Sequence, residues 1–146
     1  EWIACSAFGK AGLLGAALER FAGYINNQSD KLKITVYHAN ELVPALESLD
    51  AVRSGAAQMA YGAGYYWTNV SNATQFSAAM PFGLTAQEQN AWCYYGGGIE
   101  AADKAYNAIG AKFLPLGNTG NQMGGWYNKE INSISDFDGL KIRMPG

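Results

Sequence analysis

The first 62 residues change hydrophobic period in a strict order, and that order most limits what the chain can fold into. Residues 2–8 (WIACSAF) are a short apolar run closed by Gly9, the pattern of a buried strand. From about 12 to 28, Leu14, Leu18, Phe21 and Ile25 recur at helical spacing, and the polar run Asn26-Asn27-Gln28-Ser29-Asp30 ends the segment. Residues 31–37 alternate, with Leu32, Ile34 and Val36 on one face. Pro44 suits the first turn of a helix running to about Ser54, with Gly55 at its C-terminal turn. Residues 58–62 (QMAYG) read as another short strand. This β-α-β-α-β succession predicts an α/β fold, a mostly parallel sheet flanked by helices and joined by right-handed crossovers. Ligands in such sheets sit beyond the carboxyl ends of the strands, which directs attention to the loop carrying Gly64-Tyr65-Tyr66-Trp67.

Further along, residues 68–80 read as loop with short helix. Thr85-Ala86-Gln87-Glu88 is a capping box opening a helix that breaks at Gly96-Gly97-Gly98. A second helix spans about 99–109 and stops at Gly110. Residues 111–116 (AKFLPL) predict a strand, 121–128 an extended segment, Ser133 to Phe137 a helical turn, and 140–144 a last strand ending in Pro145-Gly146. A strand that stops in Pro-Gly reads as the front part of a longer protein. The opening Glu1-Trp2-Ile3-Ala4-Cys5 shows no signal peptide, as expected of a mature, trimmed or cytoplasmic start.

Composition removes several function classes. A net charge of −2 and a pI near 5.3 make a poor binder of phosphate backbones. With 49% hydrophobic and 13% aromatic residues the chain is not disordered. Its mass predicts a compact surface of about 7,300 Å². No run reaches the roughly 18 apolar residues that a membrane span needs. Two cysteines, Cys5 and Cys93, leave a single bridge or two buried thiols open. The sole histidine, His38, excludes a multi-histidine metal site, and its place at the end of an apolar strand suggests a structural role. There is no Ser/His/Asp or Cys/His set, so the chain is not expected to be an enzyme.

Four features are candidate sites. The turn from Gly9 to Gly15 follows a strand and opens a helix, but its spacing is G-x-x-G-x-x-G and no acidic residue ends the second strand. A small α/β nucleotide-binding or enzymatic domain built on that turn is the alternative reading. Tyr65, Tyr66 and Trp67 cannot all point the same way, so at least one ring is expected to face a small organic ligand. Arg143, near the end of the last strand, suits carboxylate capture, since its fork offers two parallel donors and stays charged when dried. A solvated strand face fits it equally well. Gln122, before two glycines in an extended segment, offers an acceptor oxygen to a ligand or a hard cation.

Taken in order, Glu41-Leu42-Val43-Pro44, Gly62-Ala63-Gly64-Tyr65-Tyr66-Trp67, Pro81-Phe82-Gly83-Leu84-Thr85-Ala86, Gly117-Asn118-Thr119-Gly120-Asn121-Gln122-Met123-Gly124-Gly125-Trp126 and Gly139-Leu140-Lys141-Ile142-Arg143-Met144-Pro145-Gly146 resemble one known family. It is that of the extracytoplasmic solute receptors of tripartite ATP-independent periplasmic (TRAP) transporters, in its α-keto acid and monocarboxylate branch. The resemblance implies a periplasmic two-lobed binding protein that closes on an organic acid and delivers it to a sodium-driven membrane permease. It implies that Arg143 pairs with the substrate carboxylate, that Gln122 contacts substrate or a bound cation, and that Tyr65, Tyr66 and Trp67 line the cleft. Residues 1–120 would be the first lobe, and 121–146 crossover strands and the start of a second. No organic cofactor is implied, though a sodium ion accompanying the substrate is. Association with a second copy would cover exposed crossover strands.

Overall fold

Three short strands pair in the order β2-β1-β3, all parallel, with β1 Trp2–Ser6 between β2 Ile34–Tyr37 and β3 Met59–Tyr61. The computed structural model describes residues 1–143; Met144, Pro145 and Gly146, and with them the expected Pro-Gly strand ending, lie outside the described residues. Alternation along β1 distributes its side chains to the two faces of the sheet. Ala4 packs with Leu18, Ala22 and Ile34 beneath α1 Leu13–Gln28. Ile3 and Cys5 pack with Ala51 and Ala57 toward α2 Ser48–Arg53. Burying Leu18 contributes about 2 kcal/mol. Both faces are therefore covered, as a parallel sheet requires. On the edge strand β2, the Asn26 carboxamide donates to the Ile34 carbonyl (2.9 Å) and accepts from the Ile34 amide (2.7 Å), so the α1 terminus closes the ladder at that point.

Local signals set the other boundaries. Gly55 and Gly110 both take φ of 81°, which suits the residue that ends a helix. The helix expected from Pro44 opens as one 3-10 turn, Ala45–Glu47, before α2 begins. Two further helices follow, α3 Ala86–Tyr95 and α4 Gly98–Asn107. The Thr85 amide donates to the Glu88 carboxylate (2.8 Å) and the Thr85 hydroxyl accepts from the Glu88 amide, completing the capping box. The Thr85 hydroxyl also donates to that carboxylate (2.8 Å), and the amide and hydroxyl together hold the Glu88 carboxyl below its ordinary pKa. Thr85→Ala is expected to cost about 1 kcal/mol, read as a lower urea midpoint at unchanged slope, whereas Thr85→Ser should keep the wild-type midpoint.

The strand expected over 111–116 does not form. Burial alternates there, with Ala111, Phe113 and Pro115 half-buried and Lys112 and Leu114 exposed, yet no ladder joins it to the sheet. Two of its donors are lost to a ladder: the Phe113 amide donates to Asp103 (2.8 Å) and Pro115 has none. Asp103 also accepts from Lys112 Nζ (2.7 Å), and these donors lower its carboxyl pKa. Residues 121–128 and 140–143 likewise form no strand, and among the described residues none forms after Tyr61. Many apolar side chains of this final third stay in solvent, Trp126 at 89% exposure. The surface totals 9,855 Å², about a third more than the compact value expected from the mass.

Cys5 and Cys93 are buried free thiols, and burial raises the Cys5 pKa. His38 is buried at the end of β2, its Nε2 2.8 Å from a Glu19 carboxylate oxygen. Its own backbone amide donates to Glu41 (2.7 Å), so the residue knits together the turn after β2.

Candidate functional site

The carboxyl end of the sheet is aromatic. Phe8 follows β1 and meets the Tyr61 ring edge-on at 5.3 Å and the Tyr66 ring at 6.0 Å. Tyr65 stands against Tyr66 at 4.9 Å, nearly perpendicular. Phe8 and Tyr61 escaped the sequence reading because both fell inside strand runs; the signal available was their position at strand ends.

Residues Gly64–Trp67 form a 3-10 turn, and its period explains where the three rings go. Positions i and i+3 eclipse in such a turn, so Gly64 and Trp67 share its inner side. Both are buried, whereas Tyr65 and Tyr66 are half-buried. Trp67 keeps only 4% exposure and packs with Leu49 and Tyr106. Its indole folds over Gly62, where a Cβ would meet the ring at 2.8 Å. The structure therefore leaves Tyr65 and Tyr66 partly open to solvent and buries Trp67.

Arg143 is exposed and lines a concavity of about 330 Å³ with Gly125, Trp126, Tyr127 and Lys141. Among the described residues two cations and no acidic side chain line it, so its field favours an anion. Neither Gln122 nor any of Tyr65, Tyr66 and Trp67 is among the residues lining this concavity. Burial, and then the neighbouring Tyr66, raise the Tyr65 pKa, while the Arg143 charge pulls it down. Arg143 thus lies within electrostatic reach of the Tyr65 hydroxyl, which stays protonated at neutral pH and can donate a hydrogen bond.

Gln122 is exposed on the loop that leaves the aromatic cluster at Gly117, where a Cβ would sit 3.4 Å from the Tyr61 hydroxyl. Its Nε2 donates to Thr119 Oγ1 (2.8 Å), leaving the carboxamide oxygen as a neutral, hard donor of the kind sodium and calcium accept. No group of three or more His, Cys, Asp or Glu side chains gathers among the described residues.

The turn from Gly9 to Gly15 has a packing explanation. A Cβ at Gly15 would collide with the Gly9 carbonyl oxygen and sit 2.8 Å from that of Lys10, and Gly12 has φ of 103°. The glycines let two carbonyls lie on the first turn of α1. No helix among the described residues is long and apolar enough to cross a membrane.

Comparison with known proteins adds to this geometry. Residues 8–146 match the model of bacterial extracellular solute-binding proteins, family 7. The chain is 48% identical over 116 residues to a monocarboxylate 2-oxoacid-binding periplasmic protein of Nostoc sp. (strain PCC 7120), covering 80% of this chain and 32% of that protein. It superposes with a TM-score of 0.94 and 43% identity on a TRAP periplasmic solute-binding protein of Colwellia psychrerythraea with bound calcium and pyruvate. A TM-score of 0.93 and 43% identity relate it to a protein of the same description from Pseudoalteromonas atlantica T6c, with bound sodium and pyruvate. Each superposition covers 99% of this chain and 45% of the other, so the chain spans less than half the length of these relatives.

Proposed function

This chain belongs to the bacterial extracellular solute-binding proteins of family 7, and from that premise we propose that it supplies the carboxylate-binding half of a periplasmic receptor for pyruvate or a related 2-oxo acid. The observation that carries the reading is the concavity holding Arg143 and Lys141, with no acidic side chain among its described lining residues. The guanidinium fork grips both carboxylate oxygens, and Lys141 adds a second positive charge. The Tyr65 hydroxyl donates to another oxygen of the anion. Tyr66 and Phe8 provide the apolar wall, and Trp67 supports them from below. Gln122 offers its carboxamide oxygen to substrate or to a sodium ion held with it. Capture ends in release to a sodium-driven permease, a binding cycle without chemical turnover.

A thermal-shift series on the full-length gene product tests this. Pyruvate at about 100 times its Kd should stabilise the protein by about 2.7 kcal/mol, and ATP and NAD at matched concentration should leave the melting temperature unchanged. Stabilisation by a nucleotide alone would overturn the receptor reading and favour the turn from Gly9 to Gly15.

A further inference from the structure

We propose that a second site lies between the 3-10 segment Asn72–Ser77, α3 and α4, and that it takes a neutral single-ring aromatic molecule bearing a hydrogen-bond donor, such as a phenol. A concavity of about 210 Å³ is lined there by Phe76, Ser77, Trp92, Ala102, Ala105 and Tyr106, with two further alanines. It shares no residue with the concavity around Arg143, so the proposal does not depend on the receptor reading. An apolar cavity of about 150 Å³ already holds a benzene ring, so the volume suits one ring. Among the described residues none of the lining side chains is charged, so an ion would lose its hydration here without gaining a counter-charge. The walls are held before a ligand arrives. A Cβ at Gly98 would meet the Trp92 ring at 2.7 Å, and one at Gly96 would meet it at 2.9 Å, so the backbone there lies against the indole. Tyr106 is buried, with Trp67 edge-on at 6.4 Å and Phe113 at 5.3 Å. The two hydroxyls set the polar preference. Ser77 Oγ lies 2.7 Å from the Thr74 carbonyl oxygen, which has no hydrogen, so the one hydroxyl hydrogen of Ser77 is donated there. The Tyr106 hydroxyl, 3.2 Å from Ser77 Oγ, therefore donates its own hydrogen to Ser77. Both keep lone pairs and neither keeps a hydrogen for a ligand. A ligand O–H finds an acceptor in this pair, whereas a carboxylate finds no donor in it.

The test uses the full-length gene product with phenol, toluene and benzoate as probes. NMR follows the Ala102 and Ala105 methyl resonances, which a ring in the cavity would shift, and calorimetry reads the pyruvate Kd on the same samples. Phenol should shift these methyls saturably with a Kd of about 1 mM, within the range open to a ligand of its size. Toluene should bind about fivefold more weakly for want of one hydrogen bond, and benzoate should leave the methyls unmoved. Ala102→Leu fills the cavity with another good helix former on α4, and should abolish phenol binding while the pyruvate Kd stays as in wild type. Phe76→Ala removes an exposed part of the wall, so the fold is spared, and phenol should bind about tenfold more weakly. Absence of a saturable methyl shift with phenol overturns the site, as does phenol binding that survives both substitutions unchanged. Toluene or benzoate moving these methyls as readily as phenol overturns the ligand class assigned to it.

Discussion

Arg143→Ala should abolish organic-acid binding while leaving the melting temperature of the ligand-free protein unchanged. The two halves of this expectation have separate causes. Arg143 is exposed, so little of the fold leans on it. On the proposed function, however, closure dries the ligand carboxylate against it, and deleting the guanidinium would leave that charge buried and unpaired. The cost is roughly 3–5 kcal/mol, or about two to three and a half orders of magnitude in Kd. Arg143→Lys should fall between, because an ammonium keeps the charge but cannot offer two parallel donors. Titration calorimetry with pyruvate on the full-length gene product reads both variants. Undiminished affinity in Arg143→Ala would remove the anion from this concavity and defeat the proposed function.

Gly64→Ala should be the most destabilising single methyl added to this chain. A Cβ there would collide with the Thr74 carbonyl oxygen and the Ser77 hydroxyl, and would lie 2.9 Å from the Tyr106 hydroxyl. None of these can retreat cheaply. Thr74 is fully buried, and its carbonyl already accepts from the Ser77 hydroxyl at 2.7 Å. Ser77 in turn is bonded to Tyr106 at 3.2 Å. Overpacking at so constrained a point costs about 3 kcal/mol or more, a large part of the roughly 5–15 kcal/mol that holds a domain together. Gly23→Ala is the control. Gly23 lies inside α1 with nothing within 4 Å of its Cβ position, so alanine there should stabilise by about 0.5–1 kcal/mol. Urea unfolding of the two variants reads the contrast. Equal midpoints would mean that the turn carrying Tyr65 and Tyr66 is not locked against Asn72–Ser77.

Much of the fold was legible because its signals are short-ranged. The capping box at Thr85 and Glu88, and the left-handed glycines 55 and 110, each depend on residues within one helical turn. The alternation of strand and helix periods over residues 1–62 was enough to predict a parallel α/β sheet. The segment over 111–116 shows the limit. Its alternation is real, and its burial follows it, but a strand needs a partner ladder, and Asp103 and Pro115 deprive it of donors. The sequence reading had no means to see a carboxylate on α4 capture an amide ten residues later.

The candidate site divides the same way. Residue type singled out Arg143, Gln122 and the aromatic run, because a guanidinium, a carboxamide and three adjacent rings have restricted chemical uses. Their orientation was not written there. Tyr65 and Tyr66 stay half-buried and Trp67 is buried because the segment coils as a 3-10 turn that packs on Tyr106 and Thr74. Phe8 meets Tyr61 only because β1 and β3 are neighbours in the sheet.

The amino-acid order alone therefore determined the succession of elements, the parallel sheet and the chemical types available for a ligand. Tertiary structure alone decided which ring of the aromatic run is buried, which extended segment goes unpaired and which residues stand around Arg143. The division has a physical cause. Periodicity and capping are satisfied among residues a few positions apart, whereas side-chain direction and electrostatic reach depend on neighbours that only the folded chain brings together.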